Sequence, residues 1–236
     1  MQRRTPKRRV FLDIGAHTGE TLSVVRSSRW RFDQIFCFEP APACWSALER
    51  LADERVEVCR FGLWDSTESV PLNNPGEVGA SVASDKDSVE TQLICEFRDV
   101  AEWFAEHVSA HDEIFVKINV EGAEAEVIER LYRSGELTKI AHLLIHLDVR
   151  KSPSRRHLEK SLRGQLESSG IDFQTADEIL FGGVLRGTRN WLLWCESDPR
   201  WRDVRYKWLR QWEHALRVRL YPLKVSARRA LAHKAA

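Results

Sequence analysis

No two of the five cysteines (Cys37, Cys44, Cys59, Cys95, Cys195) stand in a C-x-x-C spacing, and an odd number cannot all pair within the chain. That excludes a zinc ribbon, a redox dithiol and a complete disulfide framework, and leaves reduced core residues. Long apolar runs are missing as well. The best, Ile140 to Leu147, is eight residues and is interrupted by His142 and His146, far short of the roughly 20 residues a membrane helix needs. A secretory signal is absent too: the basic start, Arg3, Arg4, Lys7, Arg8 and Arg9, leads directly into a strand pattern, so a cytoplasmic protein is expected. Neither internal repeats nor long low-complexity stretches occur. His, Asp and Glu are plentiful, but no spacing specific to a metal site stands out, and no metal is assigned.

What is present suits one α/β domain: 236 residues, 43% of them apolar, can fill a core with room for small extensions. The formal net charge of +1 hides an asymmetry. Residues 1–9 carry five Lys/Arg and no acid, and residues 200–236 carry eleven against Asp203 and Glu213, which leaves residues 10–199 at −13. An acidic body repels a polyanion, while basic ends can bind anionic lipid, nucleic acid or the body itself.

The segment RVFLDIGAHTG, Arg9 to Gly19, is an apolar run ending in an acid and followed by two glycines four apart. It reads as a strand, a tight turn and a helix start, with Gly15 and Gly19 allowing a ligand to lie against bare backbone. A second run, Ile35 to Phe38, ends in Glu39 and Pro40, where an acid can accept hydrogen bonds from both hydroxyls of a ribose. Together they describe a nucleoside-binding crevice. The G-x-G-x-x-G string of dinucleotide folds is missing. Asp13 beside the turn disfavours a pyrophosphate but suits the ammonium of an amino-acid moiety, which points to S-adenosylmethionine over NAD.

A third apolar run, Glu113 to Asn119, leads into Glu121, Gly122 and Glu124. With it the chain resembles the FkbM family of S-adenosylmethionine-dependent methyltransferases, through VFLDIGAHTG (10–19), FCFEP (36–40), GLWD (62–65) and VKINVEGAE (116–124). The resemblance covers roughly residues 10–150. It implies a Rossmann-like class I methyltransferase fold and transfer of a methyl group to a hydroxyl of a sugar, a glycan or another small metabolite. It departs from the family at Asn119, where an Asp is usual, and at His146, where an acid is usual near the end of the following strand.

Further along, Ala41 to Leu51 reads as a helix, Arg55 to Phe61 as a strand, 62–97 as an insertion of short hairpin-like strands and loop, and 99–107 as a helix. Glu113 to Asn119 is the fourth strand, Ala123 to Ser134 a helix closed by Gly135, and Ile140 to Leu147 the fifth strand. A helix from Ser154 to Ser169 and strands near Ile171 to Phe181 and Thr188 to Cys195 complete a seven-stranded, mainly parallel sheet with helices on both faces, its last pair joined through Gly182 and Gly183 as an antiparallel edge. The organisation expected is a basic tail (1–9), a methyltransferase domain (10–198) and a C-terminal extension (199–236). In that extension Trp201, Val204, Trp208, Leu209, Trp212, Leu216 and Leu220 share one helical face, with Lys207, Arg210 and Arg217 opposite. Such a helix suits peripheral contact with an inner membrane face through residues 200–220, or docking on the sheet or a second subunit.

In an open parallel sheet the reactants meet beyond the carboxyl ends of the strands. The cofactor is therefore assigned to Asp13, Gly15, Ala16, His17, Gly19, Glu39, Pro40 and Asn119. Glu121 and His146 are the candidate bases, with Asp148 orienting the acceptor or the imidazole. Lys117, inside an apolar strand, needs a partner, for which Glu121 or an acid on a neighbouring loop is expected. Glu121 alternatively caps the next helix, and His146 alternatively is a structural histidine. Two other readings compete: a nucleic-acid methyltransferase, disfavoured because the fourth strand lacks an Asn/Asp-Pro-Pro-aromatic string, and a non-catalytic adaptor that keeps the cofactor fold.

Overall fold

The computed structural model describes residues 7–77, 79–83, 85, 89–179 and 183–197. The chain divides into two compact units, Met1–Leu192 and Leu193–Ala236. The first carries every strand of the described residues; of the second, only Leu193 to Ser197 are described. Along the chain run β1 (Arg9–Ile14), α1 (Glu20–Val25), β2 (Gln34–Phe38), α2 (Pro42–Leu51), β3 (Val56–Cys59), β4 (Gly62–Trp64), β5 (Glu68–Asn73), β6 (Gln92–Asp99) and α3 (Val100–His107). They are followed by β7 (Glu113–Ile118), α4 (Glu124–Ser134), β8 (Ile140–Ile145), α5 (Glu159–Ser169), β9 (Asp172–Thr175), α6 (Ala176–Ile179) and α7 (Val184–Cys195).

The central sheet has the order β3-β2-β1-β7-β8-β9, with every neighbouring pair parallel. Numbered within the sheet alone this is 3-2-1-4-5-6, a doubly wound, Rossmann-like order that reverses between β1 and β7. Its four inner strands, β2, β1, β7 and β8, read as largely apolar runs because both faces are covered. Val10, Leu12 and Ile14 point to one side and join Trp103 and Phe104 of α3, Val127, Ile128 and Leu131 of α4, and Leu162 and Leu166 of α5. Phe11 and Phe115 point to the other, where Phe32 and Trp191 of α7 meet them edge-on at centroid distances of 5.2 to 6.2 Å. Each such pair contributes about 0.5–1.5 kcal/mol beyond its buried area.

The 62–97 insertion forms a second sheet, β4-β6-β5, in which β5 and β6 pair antiparallel and β4 lies parallel to β6. Asn73 and Ser81 bridge across the β5–β6 connection, whose return is fixed by Asn74 Oδ1 accepting from the Glu90 and Thr91 amides. Asp99 caps α3 by accepting from the Ala101 and Glu102 amides and pairs with Arg130 at 2.7 Å.

The C-terminal part differs from the sequence expectation. The central sheet has six strands among the described residues, not seven, and its last strand stops at Thr175, where α6 begins. Thr188 to Cys195, expected as a strand, lies in α7. Thr188, Trp191 and Leu192 are buried at positions i, i+3 and i+4, the helical period, which the apolar run 191–194 disguises.

Candidate functional site

Loops at the carboxyl ends of β1, β2, β7 and β8 close on a crevice of about 220 Å³. The insertion supplies apolar wall from Leu63, Leu72, Val82 and Phe97, strand β7 supplies Lys117, and the loops supply Glu39, Asn119, Glu121 and His146. Of the twelve residues singled out from sequence, nine line it: Gly15, Ala16, His17, Glu39, Pro40, Lys117, Asn119, Glu121 and His146. Asp13, Gly19 and Asp148 do not.

The turn after β1 is fastened to the end of β2. The Gly15 and Ala16 amides both donate to the Phe38 carbonyl, at 3.1 and 3.0 Å. His17, at a left-handed φ of 49°, donates its amide to Glu39 Oε2 at 2.8 Å, while the Ala41 amide donates to Oε1 at 2.9 Å. Glu39 is thus aimed from two sides, and each oxygen keeps a further lone pair for a ligand. Burial pushes its carboxyl above the ordinary range, against the two amides, His17 and Lys117. The His17 ring reaches the insertion, with Nε2 3.1 Å from the Gly76 carbonyl oxygen, and Nδ1 stands 3.4 Å from Glu20.

Both turn glycines adopt the positive φ expected of them, but for a different reason. A Cβ on Gly15 would lie 2.0 Å from the Asn119 carbonyl oxygen, and one on Gly19 would lie 2.7 Å from Leu51. Close passage of the Asn119 backbone alone demands glycine at position 15, whereas at Gly19 the positive φ is the stronger constraint, since the Leu51 side chain can shift.

Lys117 finds its partner in Asp13, not Glu121. The two are register partners across β1 and β7, on the face opposite Leu12 and Ile118. Nζ lies 2.9 Å from Asp13 Oδ1 and donates to the Gly15 carbonyl at 2.7 Å. Burial raises the Asp13 carboxyl and the Lys117 charge opposes that rise. Asp13, fully buried, holds Lys117, and Lys117 steadies the glycine turn.

On the far side, Asn119 donates its amide to the Ile14 carbonyl at 2.9 Å, and its buried Oδ1 has no hydrogen-bond partner. Glu121 adopts φ 54°, and its carbonyl accepts from Ser81 Oγ at 2.7 Å. Lys151 lies between the carboxyls of Asp148 and Glu121, 2.6 Å from Asp148 and 3.9 Å from Glu121. Burial opposes ionisation of Asp148, but Lys151 and Glu121 hold it below the usual carboxylate range. Burial, reinforced by Lys117, lowers His146 to about 4 despite Asp148, so its imidazole is neutral at ordinary pH.

Three participants escaped the sequence reading. Glu20 lines the crevice beside His17. Ser81 ties the insertion to the loop after β7, and Glu124 is buried beneath that loop. Glu124 stood in the VKINVEGAE motif with no role assigned to it, and nothing in the spacing marks Ser81. The basic amphipathic segment 200–220 lies outside the described residues. Among the described residues no helix is long and apolar enough to cross a membrane, and no group of three or more His, Cys, Asp or Glu is placed to hold a metal ion.

No protein-family model and no curated protein matches the chain. Among solved structures it is similar to that of a methyltransferase FkbM from Methylobacillus flagellatus KT, at 18% identity and a TM-score of 0.45. The match covers 70% of this chain, which spans 39% of the length of that one.

Proposed function

We propose that the crevice binds S-adenosylmethionine and that the protein moves its methyl group to a hydroxyl of a sugar, a glycan or another small metabolite. The observation that carries this reading is the clamp on Glu39: an acid at the end of the second strand, its two oxygens fixed by the His17 and Ala41 amides and still able to accept from vicinal hydroxyls. Asn119 Oδ1 fits the same ligand, because an unpaired buried acceptor suits an ammonium donor. Backbone at Gly15 and Ala16 and the apolar wall at Leu63 and Phe97 fit its remaining, weakly polar surface.

Bound there, the sulfonium supplies an electrophilic methyl group, and in-line attack requires the acceptor oxygen about 3 Å from it. The protein's part is to hold that oxygen, exclude water and take its proton. Glu121 is the favoured base, with His146 as a neutral ring that hydrogen-bonds the acceptor and Asp148, itself held by Lys151, orienting Glu121. The acids Glu20, Glu39, Glu77 and Glu121 around the crevice disfavour a polyanionic acceptor and favour a neutral one.

A second reading has one observation in its favour. An imidazole lowered to about 4 is a weak base, which suits an adaptor that keeps the cofactor pocket without turnover. Calorimetric titration of the full chain with S-adenosylmethionine and its demethylated product, wild type against Glu39→Ala, tests the first reading. Micromolar binding weakened tenfold or more, about 1.4 kcal/mol, is expected; no binding to folded wild type overturns the methyl-transfer reading and leaves an adaptor of the same fold. Binding without turnover on any hydroxyl acceptor moves the weight to the adaptor.

A further inference from the structure

Glu124 opens α4, is fully buried, and turns its carboxylate onto backbone instead of into the crevice. Both oxygens lie 3.1 Å from the Gly122 amide, and Oε2 also accepts from the Val149 amide at 3.1 Å. Gly122 belongs to the loop that carries Asn119 and Glu121. Val149 follows Asp148 directly and stands three residues past His146. One side chain thus joins the two loops that present the candidate bases.

The loop it holds is strained at Glu121, a non-glycine residue at φ 54°, followed by Gly122 at 114°. Such backbone persists only where its surroundings over-determine it. Ser81 Oγ holds the Glu121 carbonyl at 2.7 Å and Arg155 Nη1 holds the Gly122 carbonyl at 3.0 Å, but the Gly122 amide is held by Glu124. Protonation at Oε1 turns that oxygen into a donor and breaks its contact with the Gly122 amide, while Oε2 still accepts from both amides, so the hold on Gly122 weakens.

We propose that Glu124 is a positioning residue: as an anion it locks the loops after β7 and β8 together around the crevice, and protonation loosens its hold on Gly122. The clamp stands on geometry alone, while its catalytic consequence rests on the methyl-transfer reading. The charged groups facing it are Glu121 on its own loop and Asp148 and Lys151 on the turn after β8; Arg155, paired with Glu126 at 2.7 Å, stands beyond Gly122. Burial, aided by the Asp148 and Glu121 charges, lifts its carboxyl to about 7 against the pull of the Gly122 amide. The loosening therefore falls near neutral pH.

The test tracks the amide signals of the isotope-labelled full chain by NMR from pH 5.5 to 8.5, with no ligand present. Gly122 and Val149 are expected to move together with one midpoint near 7, the Asn119 side-chain amide following and the Trp30 indole staying still. In Glu124→Gln the shared titration disappears; if that variant does not fold, Glu124→Asp is expected to keep it with a shifted midpoint. Independent movement of Gly122 and Val149, or the same midpoint in a folded Glu124→Gln, overturns the assignment. Because this readout needs no cofactor, a titrating clamp in a protein that ignores S-adenosylmethionine sinks the methyl-transfer reading alone.

Discussion

Lys117 Nζ stands 2.9 Å from Asp13 Oδ1 across the β1–β7 pair, with 7% and 0% of the two side chains exposed. Strand order reverses at this pair, so the ion pair lies beneath the crevice, and the same ammonium also holds the Gly15 carbonyl. Removing one partner of a buried pair leaves an uncompensated charge, at a cost of about 3–5 kcal/mol, whereas replacing both with apolar residues is often neutral. Lys117→Met is therefore expected to lose about that much in urea unfolding, and Asp13→Leu combined with Lys117→Met to recover most of it. A loss below about 1 kcal/mol in the single variant removes Lys117 from its structural role.

Gly15 and Gly135 share almost the same left-handed backbone, φ 81° and 80°, but not the same surroundings. A Cβ at Gly135 meets nothing within 4 Å, while one at Gly15 meets the Asn119 carbonyl oxygen at 2.0 Å. Gly135→Ala should cost only the conformational strain, about 1–2 kcal/mol. Gly15→Ala adds displacement of the β7 loop and should cost at least about twice as much, with weakened cofactor binding as well. Equal losses in the two variants, measured by denaturant unfolding, would show that the Asn119 approach carries no energy.

The contrast shows what local sequence encodes and what it does not. Positive φ at Gly15 and Gly19 was readable from a strand–turn–helix pattern, and Glu39 from its place after the second apolar run. Strands β1, β2, β7 and β8 were readable because burial on both faces makes their sequences continuously apolar. Asp13 opposite Lys117 was not, since 104 residues separate them in sequence and only the strand order makes them neighbours. Ser81 and Glu124 act on backbone groups far along the chain, which leaves no spacing signature. Helix α7 failed for another reason: Trp191 to Trp194 is apolar at every position, and periodicity alone cannot separate helix from buried strand there.

His146 offers a prediction whose sign is set by its surroundings. Its ordinary value is 6.5, and burial with the nearby Lys117 charge lowers it to about 4 in the fold. The unfolded chain takes up that proton more readily than the native one, so the stabilisation is complete above about pH 6.5 and is lost as pH falls through 4. Allowing for partial solvation, wild type should lose about 2 kcal/mol more than His146→Asn between pH 7.5 and 4.5 in urea unfolding. Equal losses, or ring signals titrating near 6.5, would place the imidazole in water. The same argument separates two acid limbs in any turnover profile. A limb near 7 belongs to Glu124, raised to about that value, and should survive His146→Asn; protonation of His146 enters only below about 5.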